Sequence, residues 1–157
     1  MTPIEVTKRN LDARDVEQLL SKHHTGRMAF AFHDRVMMAL VNYVYADRWI
    51  YARLEQGPAL STLKHRQWVV FEVDEIHGVY DWRTVIVCGS VQFLDNDRSS
   101  PDWRDFNRAL CLLRGEVASI LTSDDPHPER LQIYRIHLDD CSGRESKSNC
   151  VQSLPSA

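Results

Sequence analysis

The sequence predicts a mainly β protein, an antiparallel β-barrel with peripheral helices, and three observations carry that prediction. Between Gly26 and Gly89, five runs of residues alternate with the period of two that a strand imposes. Tight polar turns, His33-Asp34-Arg35 and Ala46-Asp47-Arg48, link the first three runs, as antiparallel neighbours allow. A single short helical stretch, opening at Gly57-Pro58, interrupts the series, and a longer helix precedes a last alternating run at Leu131–Leu138.

Taken in order, Asn10–Ser21 places Leu11, Val16, Leu19 and Leu20 at helical spacing, with Asn10 or Asp12 as candidate caps. This is an amphipathic lid helix. Met28, Phe30 and Phe32 then alternate with Arg27, Ala29 and Ala31 as a strand with one bulky and one small face. Val36–Tyr45 is apolar on both faces, so each face needs a cover, one of them the barrel interior and the other a helix or a partner. Trp49–Leu54 returns as a third strand rich in aromatic and β-branched residues. Proline at a first helical position starts a short helix to about Arg66. Trp68–Ile76 and Thr84–Leu94 supply two more strands.

Ser100-Pro101-Asp102 is a helix start, with serine as cap, and the helix runs to about Arg114 with Val117–Leu121 as a candidate extension. Its apolar face is Trp103, Phe106, Ala109, Leu110 and Leu113, which should dock on the barrel. SDDPHPE reads as a loop, and the polar tail from Ser142 as loosely ordered chain. The expected organisation is a single domain over residues 1–144 and a C-terminal tail over 145–157.

At 157 residues the chain suits one domain. Nineteen basic against 22 acidic side chains give a formal charge of −3, which disfavours nucleic acid and anionic membrane as partners. No apolar run approaches the roughly 20 residues of a membrane helix and no signal-peptide core opens the chain, so the cytoplasm is the expected compartment. Cys88, Cys111, Cys141 and Cys150 form no CxxC pair and read as free thiols, with Cys88 and Cys111 expected to pack as small hydrophobes. His23, His24 and His65 lack the spacing of a metal site, so no metal is expected. Glu72, Asp74 and Glu75 read as a solvated acidic strand end, and Asp139-Asp140 as another.

Three segments carry a family resemblance. LVNYVY at Leu40–Tyr45 is similar to a PVNYVY strand, DWRTVIVCGSVQF at Asp81–Phe93 to a GWSVVVRGTAEL strand, and IYRIHLDDCSGR at Ile133–Arg144 to a terminal strand ending in a TGR-like tripeptide. In this order, and with this spacing to the helix after Tyr51, the chain resembles the pyridoxamine 5'-phosphate oxidase-like family of flavin-binding split barrels. The resemblance implies a homodimer holding flavin mononucleotide (FMN) between subunits, and a redox reaction on a small-molecule substrate. It places the backbone of Val41, Asn42 and Tyr43 beside the flavin ring, and Trp82 over the flavin of the other subunit or as a shield at the barrel end. Asn42 could meet the ring's pyrimidine edge or a neighbouring backbone group, and Tyr43 could pack instead of stacking.

Elementary chemistry gives the same region an anion site. A helix opening at Pro58 leaves backbone N–H groups unpaired at its start, suited to a phosphate. Arg53 at the preceding strand end is the favoured side-chain ligand through its forked donors, with Lys64 as a second candidate that could equally face water. The chain departs from the family pattern in two places: Leu54 stands where a hydroxyl residue is common and Ala59 where a phosphate-binding lysine is common. Losing one charge-assisted contact costs roughly 1.5 to 3 kcal/mol. Three functions therefore stay open: an FMN-dependent oxidoreductase whose redox chemistry belongs to the cofactor; a non-catalytic binder of flavin, deazaflavin or haem; and a cofactor-free dimer.

Overall fold

In a computed structural model, residues 2–150 are described, without the side chain of Cys150. The elements run β1 (Ile4–Asn10), α1 (Ala13–Lys22), β2 (Thr25–Phe32), β3 (Arg35–Ala46), β4 (Trp49–Leu54), α2 (Pro58–His65), β5 (Trp68–Ile76), β6 (Trp82–Leu94), α3 (Trp103–Glu116), β7 (Gln132–His137) and β8 (Asp140–Cys150). The strands line up as β1-β8-β6-β5-β2-β3-β4-β7, and β7 pairs back onto β6 to close a barrel from β2 to β7, antiparallel throughout. The mainly β split barrel expected from the sequence is the fold observed.

Closure depends on β6, which is long enough to serve two partners on one edge. Its first half, Trp82–Cys88, pairs with β8, and its second, Val91–Leu94, with β7. Gly89 sits at the changeover, where an added Cβ would lie 2.6 Å from the His137 carbonyl oxygen. A side chain there would hold the strands apart.

Met28, Val41, Tyr43, Ile50, Phe71, Val85, Val87, Tyr134 and Ile136 fill the barrel. Helix α1 seals it with Val16, Leu19 and Leu20, and its N-terminus is capped by Asp12, which accepts from the Asp15 N–H at 2.8 Å. Helix α2 buries Leu60 and Leu63. A second cluster joins Phe106, Ala109 and Leu113 of α3 to Tyr51, Leu94 and Ile133 on the outside of the barrel, as the apolar face of that helix requires. Among the described residues no helix is long and apolar enough to cross a membrane.

Several expectations are corrected. Strands β1 and β8 were not legible, and residues 145–150, expected in a loose tail, continue β8; residues 151–157 lie outside the described residues. Pairing with β1 along its whole length, and with β6 as far as Ser146, orders this polar segment. Buried Glu145 helps by accepting from Arg9 Nε at 2.8 Å and from Arg83. Burial pushes its carboxyl up, but those two donors more than offset that and leave it below the usual range. Val117–Leu121 does not extend α3: the Val117 N–H caps the helix on Leu113 O and turns follow. The N-cap of α3 is Asp102, with Ser100 Oγ accepting from its N–H at 3.2 Å. Cys111 is exposed instead of packed, because it points away from the docked face. The acidic strand end is partnered: Asp74 pairs with Arg27 at 2.6 Å and Glu75 with Lys22 at 3.1 Å, and Glu75 also hydrogen-bonds His23 at 2.7 Å and His77 at 3.0 Å.

Candidate functional site

Strand β3 sorts its residues by the two-residue period. Val41 and Tyr43 point into the barrel, while Val36, Met38, Leu40 and Asn42 point outward. Val41 thus offers the outer face only its backbone. Tyr43 is spent on the core, its hydroxyl donating to Leu20 O at 2.7 Å, and burial drives that phenol's pKa well above its ordinary value. Asn42 is exposed, and its Oδ1 accepts from Thr25 Oγ1 at 3.4 Å, while among the described residues its amide N–H groups make no hydrogen bond.

Next to Asn42 the sheet meets the C-terminal end of α3 and the loop after it, enclosing a cavity of about 230 Å³. Asn42, Tyr43 and Arg53 line it together, so three of the six residues singled out from the sequence converge. The others do not. Lys64 is exposed on α2. Trp82, half-buried at the start of β6, lines a separate hollow with Glu75, His77, Arg83 and Glu145, and β5 and β2 stand between it and β3.

Arg53 is not the free strand-end guanidinium that the sequence suggests. It faces α3 and holds Asp125, with Nη1 and Nη2 donating to the two carboxylate oxygens at 2.6 and 3.2 Å, and Nη1 also to Arg130 O at 3.1 Å. The side chains are 8% and 2% exposed, so the pair is an interior one. Asp125 further accepts from the N–H groups of Leu121 and His127, which ties the loop down. The Arg53 hydrogen bond is the foremost reason that its carboxyl is held far below the carboxylate range.

Sequence reasoning missed the rest of the cavity wall. His24 Nδ1 faces Tyr43 O at 3.3 Å and its Nε2 faces Glu116 at 3.5 Å; Arg130, His127 and Pro126 come from the loop, and Leu113, Val117 and Ile120 form the apolar side. Arg53 was the one available signal, since an arginine inside a strand that is buried needs a carboxylate partner, though the sequence does not say which.

At α2 the helix opens at Pro58 without a side-chain cap. Pro58 has no N–H and the Ser61 N–H reaches Gly57 O, so the amides of Ala59 and Leu60 are the open donors. Residues 12–145 match the model of the pyridoxamine 5'-phosphate oxidase family. The chain belongs to that family. No curated protein matches it. Among solved structures, it resembles an FAD-binding protein from Mesorhizobium loti at 22% identity, covering 88% of this chain and 97% of that one, with a TM-score of 0.71. An FAD-binding protein from Mycobacterium smegmatis aligns at 20% identity over 87% and 99%, TM-score 0.62. An FAD- and haem-binding protein from the same organism aligns at 10% identity over 93% and 76%, TM-score 0.65. At such identities these likenesses establish the fold.

Leu54 and Ala59, at the positions where a hydroxyl and a lysine are common, both pack against the barrel core. The start of α2 carries no side-chain cap, and its open backbone N–H groups are of the kind that suit a phosphate.

Proposed function

We propose that the protein is an FMN-dependent oxidoreductase that holds its flavin on the outer face of β3 between two copies of the chain. The observation that carries the reading is the outer face of β3 itself: Val36, Met38 and Leu40 are 78%, 68% and 69% exposed, a continuous apolar stripe that ends at the exposed Asn42. Neighbouring strands continue it through Ala29, Val70 and Ile86, giving the kind of exposed apolar patch that marks an interface. Family membership and the flavin-binding structures of the same fold support a flavin as the occupant.

The flavin supplies the redox chemistry when bound. The chain's own residues bind and orient it. The backbone of Val41–Tyr43 flanks the ring, Asn42 donates to its polar edge, and Trp82 of the second copy shields it from water. The open amides of Ala59 and Leu60 hold the phosphate, with Lys64 adding charge. Arg53 reaches that phosphate only by releasing Asp125, so the amides take the main share. A binding-only role draws support from Ala59, whose packing leaves the phosphate without the family's lysine.

Titrating FMN and riboflavin into the purified protein tests the reading. FMN should bind at least tenfold more tightly than riboflavin, and equal affinity would remove the phosphate assignment. Turnover with a reduced nicotinamide donor separates oxidoreductase from carrier.

A further inference from the structure

The order of strands ends at β1, and among the described residues nothing pairs with its outer edge. Ile4–Asn10 is exposed throughout and pairs one to one with β8, so no bulge or proline blunts that edge. Just past the strand, the Leu11 N–H donates to Gly143 O at 2.9 Å, in the same register. Backbone groups change sides with each residue of an antiparallel pair. Glu5, Thr7 and Arg9 therefore turn theirs to β8 as Leu11 does, and Ile4, Val6, Lys8 and Asn10 present theirs outward.

The segment is complementary to itself. Laid antiparallel on a second copy about Thr7, IEVTKRN sets Glu5 against Arg9 twice, Thr7 against Thr7, Val6 against Lys8 and Ile4 against Asn10. Every outward N–H and C=O of the strand then meets a partner, because the hydrogen-bonded pairs fall on Val6–Lys8 and Ile4–Asn10. Other registers are worse. A slip of two residues one way puts Lys8 against Lys8, where like charges repel, and a slip the other way breaks both Glu5–Arg9 pairs. A slip of one sets outward groups against groups already bonded to β8. Among the described residues Glu5 makes no ion pair, and Arg9, which gives Nε to Glu145 and Nη1 to Asp15, keeps Nη2 to offer.

We infer that β1 is an interaction edge for a second copy of this chain, joined antiparallel about Thr7 by backbone hydrogen bonds and two Glu5–Arg9 ion pairs. The contact is two-fold and closed, so the edge takes no third chain. β8, β6, β5 and β2 separate it from β3, and it is distinct from the face proposed above. Seven residues a side is well short of the roughly 20–30 of a stable interface. The edge therefore joins as the protein is concentrated and opens on dilution, where the β3 face alone sets the species.

Hydrogen exchange at the Lys8 amide, read on Met38→Glu protein from about 1 μM to about 1 mM, tests this apart from the flavin reading. The amide should exchange freely when dilute and roughly tenfold more slowly when concentrated, as sedimentation shows one chain becoming two. Val6→Pro removes an N–H that points away from β8, and Glu5→Arg turns the attraction to Arg9 into repulsion. Both should fold by circular dichroism and lose the slowing. No slowing on concentration, slowing already complete in dilute protein, or slowing unchanged in either folded variant overturns the inference. The β3 reading is scored separately, by whether dilute Met38→Glu is a single chain.

Discussion

At the scale of single residues, the Arg53–Asp125 pair decides more than any exposed charge does. Asp125→Ala leaves a guanidinium buried without its partner and should destabilise the fold by about 3–5 kcal/mol. Replacing both residues together, Arg53→Met with Asp125→Leu, should recover much of that loss, which urea unfolding of the single and double variants would show. Glu75 makes a prediction about acid. Hydrogen bonds from His77, His23 and Lys22 bring its pKa down to about 2. Its folded value lies below the unfolded value of about 4.3, so its contribution is complete above that pH and is lost as pH falls toward 2. Glu75→Gln should flatten this part of the stability profile, measured as urea midpoints from pH 6 to pH 2. Ala59→Lys puts back the charge common in the family and should tighten FMN binding about tenfold or more over riboflavin.

At the scale of elements, Gly89 is where β6 changes partner, so Gly89→Ala should cost about 1–3 kcal/mol by overpacking against His137 O and should loosen the β6–β7 closure in hydrogen exchange. The strands from β2 to β7 were legible from alternation, as in β2 and β5, or from apolar and β-branched runs between polar turns, as in β3 and β4, and α1 and α3 because their apolar residues recur at helical spacing. The ribbon of β1 and β8 was not. IEVTKRN is exposed at every position, and DCSGRESKSNC has no apolar face, so pairing of backbones and the Arg9–Glu145–Arg83 contacts hold what no hydrophobic pattern announces. The site was readable along one strand only. Asn42 and Tyr43 follow from a motif, whereas Asp125, Arg130 and His24 reach the cavity through a closure between distant segments that no local spacing encodes.

At the scale of the whole molecule, the barrel leaves one apolar face bare, the patch proposed above to meet a second copy of the chain. Burying Met38 and Leu40 against a second copy removes large exposed side chains from water, each worth about 1.5–3 kcal/mol when fully covered. A charge placed in that face therefore tests partner and cofactor at once. Sedimentation velocity with FMN present, recorded at the protein band and at the flavin's visible band, is the most direct measurement. The flavin should sediment with a species of twice the 18.2 kDa chain mass, and Met38→Glu should yield a folded single chain that leaves the flavin behind. Flavin that stays unsedimented beside the wild-type protein, or that travels with a single chain, would contradict it.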